Sequence, residues 1–318
     1  MRLRLHYFFF LVCLWAFSAC AADEGLLDDD ESVAAWQNQV EKEMKVLVIG
    51  NSLSRDAFSY VPGVINNLCP KVVVDICVIY VGGSALSAHY ARLKGGELIT
   101  IDRYDSRKKR WTSISGLGDD AIRNTDWDLI VFQEGSTVGR DYAKTLANIT
   151  QLKDFISGMH PEVKSAVMLI PGKLEGETSQ LLATSESVWR MFSSVDEQLV
   201  ANHIVDFIVP CGTAMQNARR TSLDVMGDFG HLSYDGSHAQ EGIPCLLQAY
   251  AAAETLFAFF GIDATVADCR LQVTQDWVNK MHVFGQHGSV IKGTADDYAV
   301  AKYCALQAVA HPLEISEE

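Results

Sequence analysis

The chain has 318 residues, 48% of them hydrophobic, and a formal charge of −14. That excess of acid excludes nucleic acid and anionic lipid surfaces as partners, because both are bound through a cationic face. The apolar fraction suffices for one large core, or for a core with an appendage.

Residues 1–19 join a basic start, with Arg2 and Arg4, to an apolar stretch from Tyr7 to Phe17 that is too short to span a bilayer. This is the pattern of a secretory signal. Phe17-Ser18-Ala19-Cys20 resembles a bacterial lipobox, which implies cleavage before Cys20 and its lipidation; Ala19-Cys20-Ala21 also fits ordinary cleavage after Ala21 or Ala22. Residues 20–42 read as an acidic tether, with six acids in the nine residues from Asp23 to Glu31, too charged to fold alone. Such a run beside the cysteine resembles the export signal of some Gram-negative surface lipoproteins, and a solvated spacer is the other reading. The expected address is the cell envelope, as an outer-membrane lipoprotein that meets the membrane through its N-terminal lipid only.

The folded domain is expected over 43–318. Segments 46–49, 72–80, 129–132, 166–170 and 204–209 are β-branched and almost continuously apolar, as befits strands covered on both faces. Helical periodicity over about 54–67, 142–159, 178–201 and 241–260 separates them. The alternation predicts an α/β fold, a three-layer αβα sandwich around a parallel sheet with right-handed crossovers. Segments 97–104 and 110–114 read as a hairpin inserted after the second strand. Helices near 273–282 and 294–309 read as a C-terminal cap beginning at about 261. With no internal repeat and no Pro-rich linker, one domain is the economical reading.

Beyond Cys20, the cysteines at 69, 77, 211, 245, 269 and 304 are scattered without a C-x-x-C pair. Disulfides and buried thiols both remain open, with Cys69 and Cys77 the nearest candidates for pairing.

Ser52 follows the first strand and precedes a helix starting near Ser54, a place that exposes its hydroxyl and aims a helix dipole at it. A serine needs a base to become a nucleophile, and Asp235-Gly236-Ser237-His238 supplies an imidazole with a carboxylate three residues before it. Each piece has a plainer reading: Ser52 or Ser54 as a helix cap, and Asp235 as a cap beside a surface His238. No G-x-S-x-G elbow, H-E-x-x-H helix or phosphate loop is present. His282 and His287 flank Val-Phe-Gly-Gln without an obvious third ligand, so no metal is expected.

In order and context, Gly50-Asn51-Ser52, Val81-Gly82-Gly83-Ser84, Phe132-Gln133-Glu134-Gly135-Ser136 and Asp235-x-x-His238 resemble the motif blocks of the SGNH, or GDSL, hydrolase superfamily, in a bacterial secreted branch. The resemblance covers about residues 45–260. It implies a flavodoxin-like sheet, no cofactor, and a triad of Ser52, His238 and Asp235. It also implies an oxyanion hole from the Ser52 N–H and a glycine N–H of the second block, Gly83 chosen before Gly82, with a side-chain amide from the third block. Two departures stand out: Asn51 replaces the usual Asp, and Gln133 stands where the family has Asn. Ser136 is the second choice for the amide's role. His89, Ser136 and His231 are candidate substrate-lining residues, and Trp111 sits in the hairpin near the same edge. The expected function is an exported serine esterase acting on acetyl or other short acyl esters, on carbohydrate or small molecules. The alternatives are a non-catalytic glycan-binding protein on the same fold and an acyltransferase using the same triad.

Overall fold

The computed structural model describes residues 41–175, 180–225, 231–281 and 289–316, and Glu41 onward forms one unit. The secretory signal, Cys20, nearly all of the tether, and His282 with His287 lie outside the described residues. In chain order the elements are β1 (Lys42–Gly50), α1 (Ser52–Phe58), α2 (Val61–Leu68), β2 (Val72–Tyr80), α3 (Leu86–Gly95), β3 (Leu98–Asp105), β4 (Arg110–Leu117) and α4 (Gly118–Arg123). There follow β5 (Leu129–Phe132), α5 (Tyr142–Ser157), β6 (Lys164–Met168), α6 (Leu181–Ala201), β7 (Phe207–Val209), α7 (Cys211–Ala218), α8 (Ile243–Phe260), α9 (Gln275–Met281) and α10 (Ala295–Ala310).

The strands form one sheet in the order β4-β3-β2-β1-β5-β6-β7. β2, β1, β5, β6 and β7 run parallel, and the β3–β4 hairpin continues the sheet antiparallel beyond β2. The parallel part has the flavodoxin-like order, which reverses direction between β1 and β5 and opens a crevice at their carboxyl ends. Helices α1, α2, α7, α8 and α10 pack together in one layer, and α3, α5 and α6 in the other. The fold class expected from the alternation of strands and helices is therefore the one observed.

The strands read as continuous apolar runs because layers cover both faces: all of Leu129–Phe132 is buried. Helix α8 is apolar all round for the same reason. By length and composition it could cross a membrane, yet 78% of its apolar window is buried, as in the central helix of a core.

Several details differ from the sequence reading, among them the short helix α4, which the sequence does not announce. The helix expected over 54–67 is two helices, because Pro62 lacks the N–H that would continue the ladder from α1. Helix α3 was not anticipated, since its buried face is only Leu86, His89 and Leu93. Helix α7 buries all eight residues, which leaves no polar face to give it a period. Among the described residues Cys69, Cys77, Cys211, Cys245 and Cys269 are free thiols, so Cys69 and Cys77 are not paired.

Candidate active site

Strand β1 ends at Gly50, where there is no room for a side chain: a Cβ would lie 2.7 Å from Gln133 Oε1 and 2.8 Å from Ser54 Oγ. The next residue, Asn51, is the N-cap of α1, accepting from Leu53 N–H at 3.1 Å, while its Nδ2 donates to the Ser84 carbonyl at 3.1 Å. Asn51 N–H in turn donates to Gln133 Oε1 at 2.8 Å. One short turn is thus tied to the loops after β2 and β5, and it carries Ser52 as the first residue of α1. The helix begins at Ser52 rather than near Ser54, and the cap is Asn51 rather than either serine.

The partner loop folds back on itself through the Ser233–Ala239 bridge and presents Asp235 and His238. Ser52 Oγ lies 2.7 Å from His238 Nε2, and His238 Nδ1 lies 2.7 Å from Asp235 Oδ2. With Nδ1–H given to the carboxylate, Nε2 is left to accept the serine proton. Asp235 Oδ1 accepts the N–H groups of Ser237 at 2.9 Å and His238 at 2.8 Å. Burial opposes its ionisation, and these donors with the imidazole outweigh burial, so the carboxyl stays below the usual carboxylate range.

Neighbouring groups hold the loop in place. Tyr234 stacks on the His238 ring at 5.4 Å and 17°. Asp56 of α1 accepts Ala239 N–H at 3.1 Å, and burial pushes its carboxyl well above the ordinary range. Gly236, at φ +84°, turns its carbonyl to Leu174 N–H at 2.9 Å. That segment is anchored by buried Arg219, whose Nη1 donates to the Gly172 carbonyl at 2.6 Å and to Gln216 at 2.8 Å, and also to Ser185. Burial lowers the Arg219 pKa to about 10. Sequence reading missed Asn51's double role, Tyr234, Asp56 and Arg219.

Of the remaining candidates, Gly83 lies exposed in a left-handed turn at φ +62°, with open space where a Cβ would be. Gln133 is fully buried, its Oε1 held by Asn51 N–H and its Nε2 donating to the Glu134 carbonyl at 2.5 Å. It builds the floor of the turn and does not present its amide to the cleft, which corrects the expectation of a side-chain oxyanion donor. His89 is also fully buried: Nε2 lies 2.8 Å from the Gly50 carbonyl and Nδ1 3.2 Å from the Ala85 carbonyl. It supports the end of β1 and lines no cleft. Trp111 is likewise buried, donating to the Ser59 carbonyl at 2.9 Å. Ser136 is half-buried beside the second block, since Gly135 packs its backbone against Ala85. His231, 23% exposed, pairs through Nδ1 with Asp224 at 2.8 Å.

Glu134 was unassigned and is structural: buried, it accepts Leu86 N–H at 2.9 Å, Gly135 N–H at 2.7 Å and Asn148 Nδ2 at 2.8 Å. Ala85, the N-cap of α3, supplies no side-chain cap, so Glu134 caps that helix from the neighbouring loop.

A comparison with curated proteins finds no match. Among solved structures, a DUF4886 family protein from Bacteroides uniformis ATCC 8492 is similar with a TM-score of 0.70 at 18% identity, over 86% of this chain and 98% of that one. That likeness is one of fold. An acetylxylan esterase from Geobacillus stearothermophilus has a TM-score of 0.44 at 13% identity, over 70% of this chain and 96% of that one. A GDSL-like lipase from Bacteroides thetaiotaomicron VPI-5482 has a TM-score of 0.37 at 12% identity, over 70% and 88%. Residues 45–269 match the family described as "Domain of unknown function (DUF4886)", and the chain belongs to that family.

Proposed function

We propose that this protein is a serine esterase that removes acetyl or other short acyl groups from carbohydrate. The observation that carries the reading is the continuous relay from Ser52 Oγ through His238 to Asp235, with both links at 2.7 Å. Ser52 attacks the acyl carbonyl while His238 Nε2 takes its proton, and Asp235 stabilises the imidazolium and fixes its orientation. The tetrahedral oxyanion is held by the N–H groups of Ser52 and Gly83. His238 returns the proton to the leaving sugar oxygen as the acyl–Ser52 ester forms, then draws a proton from the attacking water and gives it to Ser52 Oγ as the C–Oγ bond breaks and the free acid leaves. Every step uses side chains and backbone of this chain, so no cofactor enters. Ser136 and His231 remain the candidates for contact with the alcohol portion.

The lipobox resemblance at Phe17–Cys20 supports a second part of the proposal, export past the cell membrane with Cys20 lipidated and the acidic segment as its tether. The test of the activity is release of acetate from acetylated oligosaccharides by the purified protein, beside the variant Ser52→Ala. Release by the parent and not by the variant supports the reading. Transfer of the acetyl group to an added sugar without free acetate would convert it into an acyltransferase. No turnover of any ester would leave a glycan-binding protein.

A further inference from the structure

One cavity stands beside this relay and has no part in it. Its volume is about 300 Å³, and its walls include Tyr80, Ser84, Arg92, Leu98, Thr100 and Ser115. Strand register fixes where it lies. Gly50 pairs with Tyr80, so the turn carrying Ser52 and the turn at Gly82 leave adjacent parallel strands at the same level. The bond from Asn51 Nδ2 to the Ser84 carbonyl joins the two turns. The cavity therefore begins one strand away from the nucleophile, and the β3–β4 hairpin supplies its far wall.

The lining is chemically specific. Tyr80 pairs with Thr100, and Thr100 with Ser115, which sets three hydroxyl-bearing residues in a row across three strands. The Arg55 guanidinium lies 3.2 Å from the centre of the Tyr80 ring and is paired with buried Asp102, which stiffens the row at its inner end. Leu98, 61% exposed, adds a small apolar surface. Hydroxyls beside an apolar patch match a sugar ring, with its polar rim and its C–H face. They do not match an acyl chain, which would leave the hydroxyls without partners. Arg92 adds a planar, permanently charged fork suited to a carboxylate. Its side chain is 43% exposed, and its nearest carboxylate, Glu97, lies 4.0 Å away and is 61% exposed, so that pair is weak and open to exchange. On a chain of formal charge −14 the overall field disfavours anions, so an anion needs a local cation such as Arg92.

We infer that this cavity is a subsite for an anionic sugar, a uronate, whose carboxylate is held by Arg92 and whose hydroxyls meet Thr100, Ser115 and Ser84. Its place in turnover rests on the esterase reading, whereas the binding does not. The substrate would be a glycan in which the acylated sugar neighbours, or is itself, a uronic acid.

The test is a calorimetric titration of the full-length Ser52→Ala variant with tri-galacturonate and with its methyl-esterified, uncharged form. The charged trimer is expected to bind about ten-fold more tightly or better, and adding Arg92→Ala should bring the two within about two-fold. Arg92→Lys should retain part of the preference. Lys94→Ala, which removes a surface cation set over Tyr90 on the same helix, should leave it unchanged. Equal binding of the two trimers, no binding of either, or a preference that survives Arg92→Ala would overturn the subsite. A fluorophosphonate probe on the Ser52-containing parent separates the two ideas. Labelling without charge-selective binding removes the subsite and leaves the esterase, and selective binding without labelling does the reverse.

Discussion

At the scale of single residues, Asn51 explains its own presence. A carboxylate there could still accept from Leu53 N–H, but it would set an oxygen against the Ser84 carbonyl in place of the donating Nδ2. Asn51→Asp should therefore cost about 1–3 kcal/mol in urea unfolding at neutral pH, and a cost near zero would show that the Ser84 link carries nothing. His89 offers a test through pH. Burial lowers its pKa despite the Gly50 and Ala85 carbonyls, so the folded state holds the neutral ring. The unfolded ring binds a proton near pH 6.5, so this contribution is complete above about that value and is lost as pH falls through the lower folded pKa. Urea midpoints at pH 7 and pH 5 should therefore fall further for the parent than for His89→Gln; an equal fall in both would contradict the assignment. Ser52, Asp235 and His238 could be picked out because their chemistry is carried by residue type, spacing and chain order, and the structure brings the three together. Gln133 and His89 were misread for a physical reason. What decides their roles is the direction of an amide or a ring toward the Glu134 and Gly50 carbonyls, and a backbone acceptor leaves no mark in the sequence.

At the scale of elements, the hairpin is fastened by Trp111, which is 5% exposed, lies edge-on to Tyr104 at 5.6 Å and donates to Ser59 at the joint between α1 and α2. Trp111→Phe keeps most of the apolar contact and leaves the Ser59 carbonyl without that donor. A loss of about 1–3 kcal/mol in urea unfolding is expected, and an unchanged midpoint would mean that the joint is held by other contacts. The strands and long helices were legible because burial on two faces, or on one, writes period and composition into the chain. Helices α3 and α7 were not, the first held by a cap lent by Glu134 and the second buried throughout. The break between α1 and α2 needed only Pro62 to be weighed against the apolar pattern.

At the scale of the molecule, the reversal of strand order between β1 and β5 places the ends of the first and third motif blocks side by side, and the loop before α8 closes over them with His238. The proposed anchor belongs to this scale too. Full-length protein made in a Gram-negative host with a labelled fatty acid should carry the label and stay with the membrane fraction, and Cys20→Ser should lose both; label retained by the variant would contradict the anchor. If Ser52 is a nucleophile activated by His238, fluorophosphonate will label it, and intact-mass measurement after treatment reads that labelling. One adduct per chain is expected, mapped to Ser52, with none in Ser52→Ala and a fall of at least about 10³-fold in aryl acetate turnover for that variant. An adduct elsewhere, or equal turnover by parent and variant, would contradict that role for Ser52.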